Sequence, residues 1–286
     1  MHRIALLLSL AVLGALVLTF SSAAQEEGQD PMAELTALYH AAFESGETEA
    51  LSAGFSKHRG LALLVIDADL EGSLALREEN LSAENEAQAL ERIARAEFGA
   101  AVASRALGEP IFSDYAVSFG GWSEVQRLNF RGGQKAFGEA RGALREGDLE
   151  RALERANRSL ELAEPLGDWW GTAMALGARA DALIAAEEHT EALIAASRAR
   201  LLHHQLGLES SQLGDLLRMA DAALGLQRFG RALNAMDAAQ GLADRQTRSD
   251  WQGELLARRA AALEGLGRTE EAAAVRAQLA ASEQGE

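Results

Sequence analysis

The stretch that decides the fold is Glu146-Gly147-Asp148-Leu149-Glu150-Arg151-Ala152-Leu153, because the chain repeats its pattern at a fixed step. Its alanine heads a column, Ala152, Ala192, Ala232 and Ala272, whose members stand 40 residues apart. Ala140, Ala180, Ala220 and Ala260 keep the same step, and Leu153, Leu193 and Leu233 form a third column that closes on Ala273. Three columns in step over four copies mark an internal repeat running from about Gln134 to Ala281.

Each unit reads as two helical patterns, A and B, broken by a short turn. In the first unit, helix A covers Ser123–Arg145, the turn is Glu146-Gly147-Asp148, and helix B covers Leu149–Glu164 before Pro165. The later turns are Glu187-Glu188-His189, Gln227-Arg228-Phe229 and Gly267-Arg268-Thr269. One alanine of each unit falls on A and one on B. Small side chains there let the two backbones approach, where larger ones would push the helices apart. The last helix, Glu270–Glu283, carries Glu271, Arg276, Gln278 and Glu283 and reads as a solvated end to the array.

Upstream, the pattern is helical but less regular. Asp30-Pro31 is a helix start, followed by Leu35, Leu38, Tyr39, Ala42 and Phe43 at helical spacing and a break at Ser45-Gly46. A second helix is expected over Glu47–Lys57, making a hairpin that reads as a degenerate copy of the later unit. The apolar run in Leu61–Arg77 fits either a buried helix or a small hairpin turning at Asp69–Gly72, with helix the preferred reading. Ser82 is an N-cap for a long helix ending at Gly108 and Pro110. Ile111–Gly121, with Phe112, Tyr115, Val117, Phe119 and two glycines, reads as a loop or short extended segment. Ser123 with Gln126 is a capping box for the first repeat helix.

The residues of the array carry a resemblance. Leu166-Gly167-Asp168, Gly171, Ala175-Leu176, Ala180, Leu183 and Ala192-Leu193 resemble the tetratricopeptide repeat (TPR), in the bacterial variety with lengthened helices and a period near 40. Gly147-Asp148-Leu149, Ala152-Leu153, Ser159-Leu160 and Pro165 resemble the same pattern, and Leu206-Gly207 repeats Leu166-Gly167. The aromatic residue usual in helix A is absent from most copies. The resemblance covers about half the chain. It implies an all-α fold of antiparallel hairpins stacked into a right-handed solenoid, with helix A lining the concave face. Carried over residue by residue, that face would present Gln134, Phe137, Arg141, Arg145, Met174, Asp181, Leu217, Asp221, Glu254 and Ala261. The implied role is a protein–protein scaffold that takes a peptide or helix of a partner, without cofactor or catalysis.

Composition sets further bounds. The 286 residues include 43 acids against 27 bases, a net charge of −16, which excludes a basic footprint for nucleic acid. Hydrophobic residues make up 48% but aromatics only 5%, so alanine supplies much of the apolar content. His2-Arg3, the apolar run Ile4–Leu18 and the small residues Ser22-Ala23-Ala24 form an export signal expected to be cleaved after Ala24. The other reading is an uncleaved anchor, since Ile4–Phe20 is 17 residues long. The expected setting is therefore periplasmic or extracellular. The chain has no cysteine, hence no disulfide framework and no lipidated cysteine after the signal. Residues 25–31 then form an acidic linker, 32–122 a helical region, and 123–286 the repeats.

Few motifs carry chemistry. Arg131-Gly132-Gly133-Gln134-Lys135 lacks the Ser or Thr and the spacing of a phosphate loop, and Phe119-Gly120-Gly121-Trp122 reads as a turn. Asp67, Asp69, Glu71 and Glu78, with Gly72 at the sixth place, match the acid spacing of a calcium loop. Glu71 and Leu70 depart from that pattern, and a solvated acidic turn or helix face is the preferred reading. His203 and His204 point about 100° apart on a helix, so they read as surface or interface residues, not a metal pair. Trp169, Trp170 and Trp251 sit at helix starts and read as packing between units, with one of the adjacent pair free to anchor a partner. An enzyme site within residues 30–122 is the remaining alternative.

Overall fold

A computed structural model describes residues 30–245 and 250–283. The export signal expected in residues 1–24, and most of the acidic linker, lie outside the described residues. Among the described residues the fold is all-α, with thirteen α-helices and no strand. They are α1 (Pro31–Ser45), α2 (Glu49–Lys57), α3 (Arg59–Glu79), α4 (Ala83–Leu107), α5 (Ile111–Gly120), α6 (Glu124–Glu146), α7 (Leu149–Ala163), α8 (Trp169–Ala185), α9 (His189–Gln205), α10 (Glu209–Gly225), α11 (Phe229–Arg245), α12 (Gln252–Gly265) and α13 (Thr269–Glu283). A 3-10 turn, Glu164–Leu166, joins α7 to α8 around Pro165. No described helix is long and apolar enough to cross a membrane.

The helix ends follow from local chemistry. Asp30 Oδ1 accepts the Met32 N–H at 3.0 Å, with Pro31 at the first helical position. Ser82 Oγ caps α4 by accepting the Asn85 N–H at 3.0 Å. The capping box opens α6: Gln126 Oε1 accepts the Ser123 N–H at 2.9 Å and Ser123 Oγ accepts the Gln126 N–H at 3.4 Å.

Hairpins α6–α7, α8–α9, α10–α11 and α12–α13 pack one after another, as in a solenoid. Both alanine columns are buried throughout: Ala140, Ala180, Ala220 and Ala260 on the first helices, Ala152, Ala192, Ala232 and Ala272 on the second. The turn inside each hairpin needs a left-handed residue. Gly147, Glu187, Gln227 and Gly267 occupy that place with φ of 77°, 61°, 56° and 72°. The register read from the columns is therefore the register of the turns.

The N-terminal helices are a layer on the array. One apolar core joins Leu35, Tyr39, Phe55, Leu63, Ile66 and Tyr115 to Leu166, Leu206 and Leu208, which lie in the turns between hairpins. Trp122 stacks on Phe119 with centroids 4.3 Å apart, packs against Phe130 of α6, and donates its Nε1–H to the Leu166 carbonyl at 2.9 Å.

Two upstream readings resolve. Leu61–Arg77 is helix, inside the 21-residue α3. Ile111–Gly121 is not a loop or extended segment, because α5 occupies Ile111–Gly120. Its buried side chains are Ile111, Phe112, Tyr115, Ala116 and Phe119, a helical stripe, while Val117 faces solvent. Counting Val117 among the inward residues hid that period.

Candidate functional site

The first helices of successive hairpins touch one another directly: α6 on α8, α8 on α10, α10 on α12. The second helices make at most marginal contact with each other. In a stack of rigid hairpins the side where next-but-one helices approach is the inner side of the curve. The inner face is thus built from α6, α8, α10 and α12.

Two charged clasps cross this face. Asp181 on α8 takes the Arg218 guanidinium of α10 in a fork, with Nε–Oδ1 2.7 Å and Nη2–Oδ2 3.0 Å. One period on, Asp221 takes Arg258 of α12 in the same fork, both distances 2.8 Å. Paired donors on a planar guanidinium match a carboxylate's two oxygens, so each clasp fixes the angle between neighbouring hairpins. Arg258 also reaches Glu254 Oε2 at 2.6 Å. Arg218 continues inward to Asp215 Oδ1 at 3.0 Å, and Asp215 Oδ2 lies 2.6 Å from His203 Nδ1. Asp215 is fully buried and His203 nearly so.

The first pair of hairpins breaks this pattern. The place of Asp181 and Asp221 is held by Arg141, and the place of Arg218 and Arg258 by Ala178. Arg141 is exposed and lies over the Phe137 ring, 5.8 Å from its centroid. Arg145 is exposed one turn further on. No carboxylate among the described residues pairs with either guanidinium.

The expected inner-face residues divide. Phe137, Met174, Asp181 and Asp221 are half-buried on these helices, while Arg141, Arg145, Glu254 and Ala261 are exposed. Gln134 is spent on the N-terminal layer, donating Nε2–H to Glu71 Oε1 at 2.7 Å. Leu217 does not line the face. It is 5% exposed and packs with Leu213, Ala220 and Met236, because the exposed stripe of α10 runs through Arg218 and Asp221. Arg218 and Arg258 were absent from the expected set, although their 40-residue spacing repeats that of Asp181 and Asp221.

The calcium-type spacing does not form a loop, and α3 runs unbroken through Gly72. Glu71 and Glu78 both hold Arg131 of α6, at 2.7 and 2.8 Å. Asp69 accepts from Tyr39 at 2.9 Å, from Arg92 at 3.1 Å and from Arg95 at 2.6 and 2.7 Å. Gly72 gives Arg92 its room, since a Cβ there would meet Nη1 at 2.7 Å. Asp67 faces elsewhere and accepts the Tyr115 hydroxyl at 2.7 Å. Among the described residues no group of three or more His, Cys, Asp or Glu is placed to hold a metal ion.

Burial, with Glu71 alongside, pushes the Asp67 carboxyl up to about 8. Burial likewise pushes Asp168 up to about 7, against the pull of the Gly171 N–H it accepts at 2.8 Å. The Tyr115 phenol is raised by burial and by the charge of Asp67. His203 is buried between α9 and α10, not on the surface, and Trp169 and Trp170 are both half-buried against the N-terminal core. Comparison with known proteins returns neither a family model nor a curated protein that matches the chain.

Proposed function

We propose that this chain is an exported, non-catalytic adaptor of the tetratricopeptide-repeat type, which holds a peptide or helix of a partner protein along its concave face. The observation that carries the reading is the construction of the inner face. Four first helices meet edge to edge, and the acids Asp181 and Asp221 are neutralised in clasps. The uncommitted charge then belongs to Arg141, which lies over the Phe137 ring, and to Arg145 one turn further along α6. A partner segment with carboxylates next to an apolar side chain complements that end of the face. The clasps shape the face, and Glu254 at its far end is held by Arg258 at 2.6 Å. Export rests on the pattern of residues 1–24.

The test is site-specific photocrosslinking in the cell that makes the protein. A photoreactive residue at Arg141 or Glu254 is expected to trap one defined partner outside the cytoplasm, and one at Arg158 or Arg198, on second helices, to trap little. Equal trapping from the outer positions, or adducts found only in the cytoplasm, would refute the proposal.

A further inference from the structure

Carboxylates lie on both sides of the seam where the core of α3 and α5 reaches the turn from α7 into α8. Asp67 and Glu71 come from α3, and Asp168 comes from the turn. Facing them are Tyr115 from α5, Arg131 and Gln134 from α6, and the Gly171 N–H from α8. Arg131 is the cation whose charge reaches Asp67, yet its donors go to Glu71, Glu78 and Gln134. Asp67 is left with one phenol at 2.7 Å, and Asp168 with one backbone N–H at 2.8 Å. Both are buried, 7% and 4% exposed.

Asp69, two residues further along α3, shows the contrast. It is equally buried but receives two guanidinium groups and a phenol. A buried carboxylate so surrounded is stable as an anion, whereas one with a single neutral donor is much less so, although Asp168 also has the N-terminus of α8, which it caps, in its favour. The seam thus holds two acids that the fold accommodates best in their neutral form.

We propose that this seam is a proton-operated latch: protonated Asp67 and Asp168 keep the N-terminal layer closed on the repeat array, and their loss of protons as the medium turns mildly alkaline loosens it. The direction follows from linkage. Both carboxyls hold their protons in the folded chain to higher pH than in the unfolded chain, about 8 and about 7. Between the ordinary carboxylate value, about 4, and those values the folded state carries the extra protons. The stabilisation is complete below the ordinary value and is lost as pH rises through the folded ones. Each extra proton shifts the opening equilibrium about tenfold per pH unit across its window. The latch depends on neither the export nor the partner reading.

The experiment uses the full chain with carboxyl-labelled aspartate, read by NMR from pH 4 to 9.5, alongside hydrogen exchange. Two aspartate carboxyls are expected to titrate with midpoints above pH 6. One should vanish in Asp67→Asn and the other in Asp168→Asn, since asparagine still accepts the Tyr115 and Gly171 hydrogens. Exchange protection at 111–122 and 164–172, corrected for intrinsic rate, should fall by tenfold or more from pH 6 to 9, while α12 holds. Asp67→Asn should flatten that fall. If every aspartate of the unmodified chain titrates below pH 6, or the two segments keep their corrected protection, the latch does not exist. The unmodified chain decides this even if a variant fails to fold.

Discussion

Replacing Glu187 and Gln227 by glycine should stabilise the array. Both hold the left-handed place in a hairpin turn, at φ 61° and 56°, which Gly147 and Gly267 hold in the other two units. A side chain there crowds the following carbonyl and costs about 1–2 kcal/mol. Glycine removes that cost but loses about 0.4–1 kcal/mol through its freer unfolded chain. The net gain is about 0.5–1 kcal/mol per site, and sites a full repeat apart should add. For a chain of this size each kcal/mol raises Tm by about 2–4 °C. Calorimetry of Glu187→Gly, Gln227→Gly and the double variant is the assay. Gly147→Ala is the control, because a Cβ there meets nothing within 4 Å and the substitution tests backbone strain alone. It should destabilise by about 1 kcal/mol. If both glycine variants lower Tm while Gly147→Ala leaves it unchanged, the turns are not governed by that backbone position and the repeat register is wrong.

Arg218→Ala should cost about 3 kcal/mol, because it leaves Asp215, which is fully buried, with His203 but without its guanidinium partner. Arg258→Ala should cost about 1 kcal/mol or less, since its partners Asp221 and Glu254 keep access to water. Urea titrations of the two variants check that ordering. Gly99→Ala brings a Cβ onto the Tyr39 ring and should cost about 1–3 kcal/mol, with the Tyr39–Asp69 hydrogen bond displaced. Trp122→Phe keeps the stack on Phe119 but removes the bond to the Leu166 carbonyl, and should lower stability by about 1 kcal/mol in the same assay.

What could be read in advance was whatever repeats or caps locally. The alanine columns declared the hairpins because close backbone approach leaves no alternative residue at those places. Ser123 with Gln126, Asp30 with Pro31 and Ser82 declared helix starts because their hydrogen bonds lie within four residues. The clasps were harder, since Asp181 and Arg218 meet across 37 residues and each looks like an ordinary surface charge alone. Only the second copy, Asp221 with Arg258, marks the pair as a device. Leu217 was misplaced for a related reason. The family pattern says which helix lines the face, but the facing stripe of α10 is set by Arg218 and Asp221, which lie one and four residues on. The tie between α3 and α6 through Arg131, Glu71 and Glu78 likewise links distant segments, and in sequence those acids read as a solvated acidic turn or helix face, with a cation loop as the alternative.

Each hairpin buries its face on the next, and the third column records how far that burial extends among the described residues. The N-terminal helices lie along one edge of the array, since the core running from Tyr39 through Tyr115 reaches Leu166, Leu206 and Leu208 in the turns between successive hairpins. On α13 the residues turned to solvent among the described residues include Ala273, Ala277, Ala280 and Ala281 with Glu270, Glu271 and Arg276. In the middle units the matching third-column place holds Leu193 and Leu233, so the change to Ala273 reduces the apolar area left exposed. The break in the third column thus follows the burial of its place: leucine where the next hairpin covers it, alanine where it faces solvent.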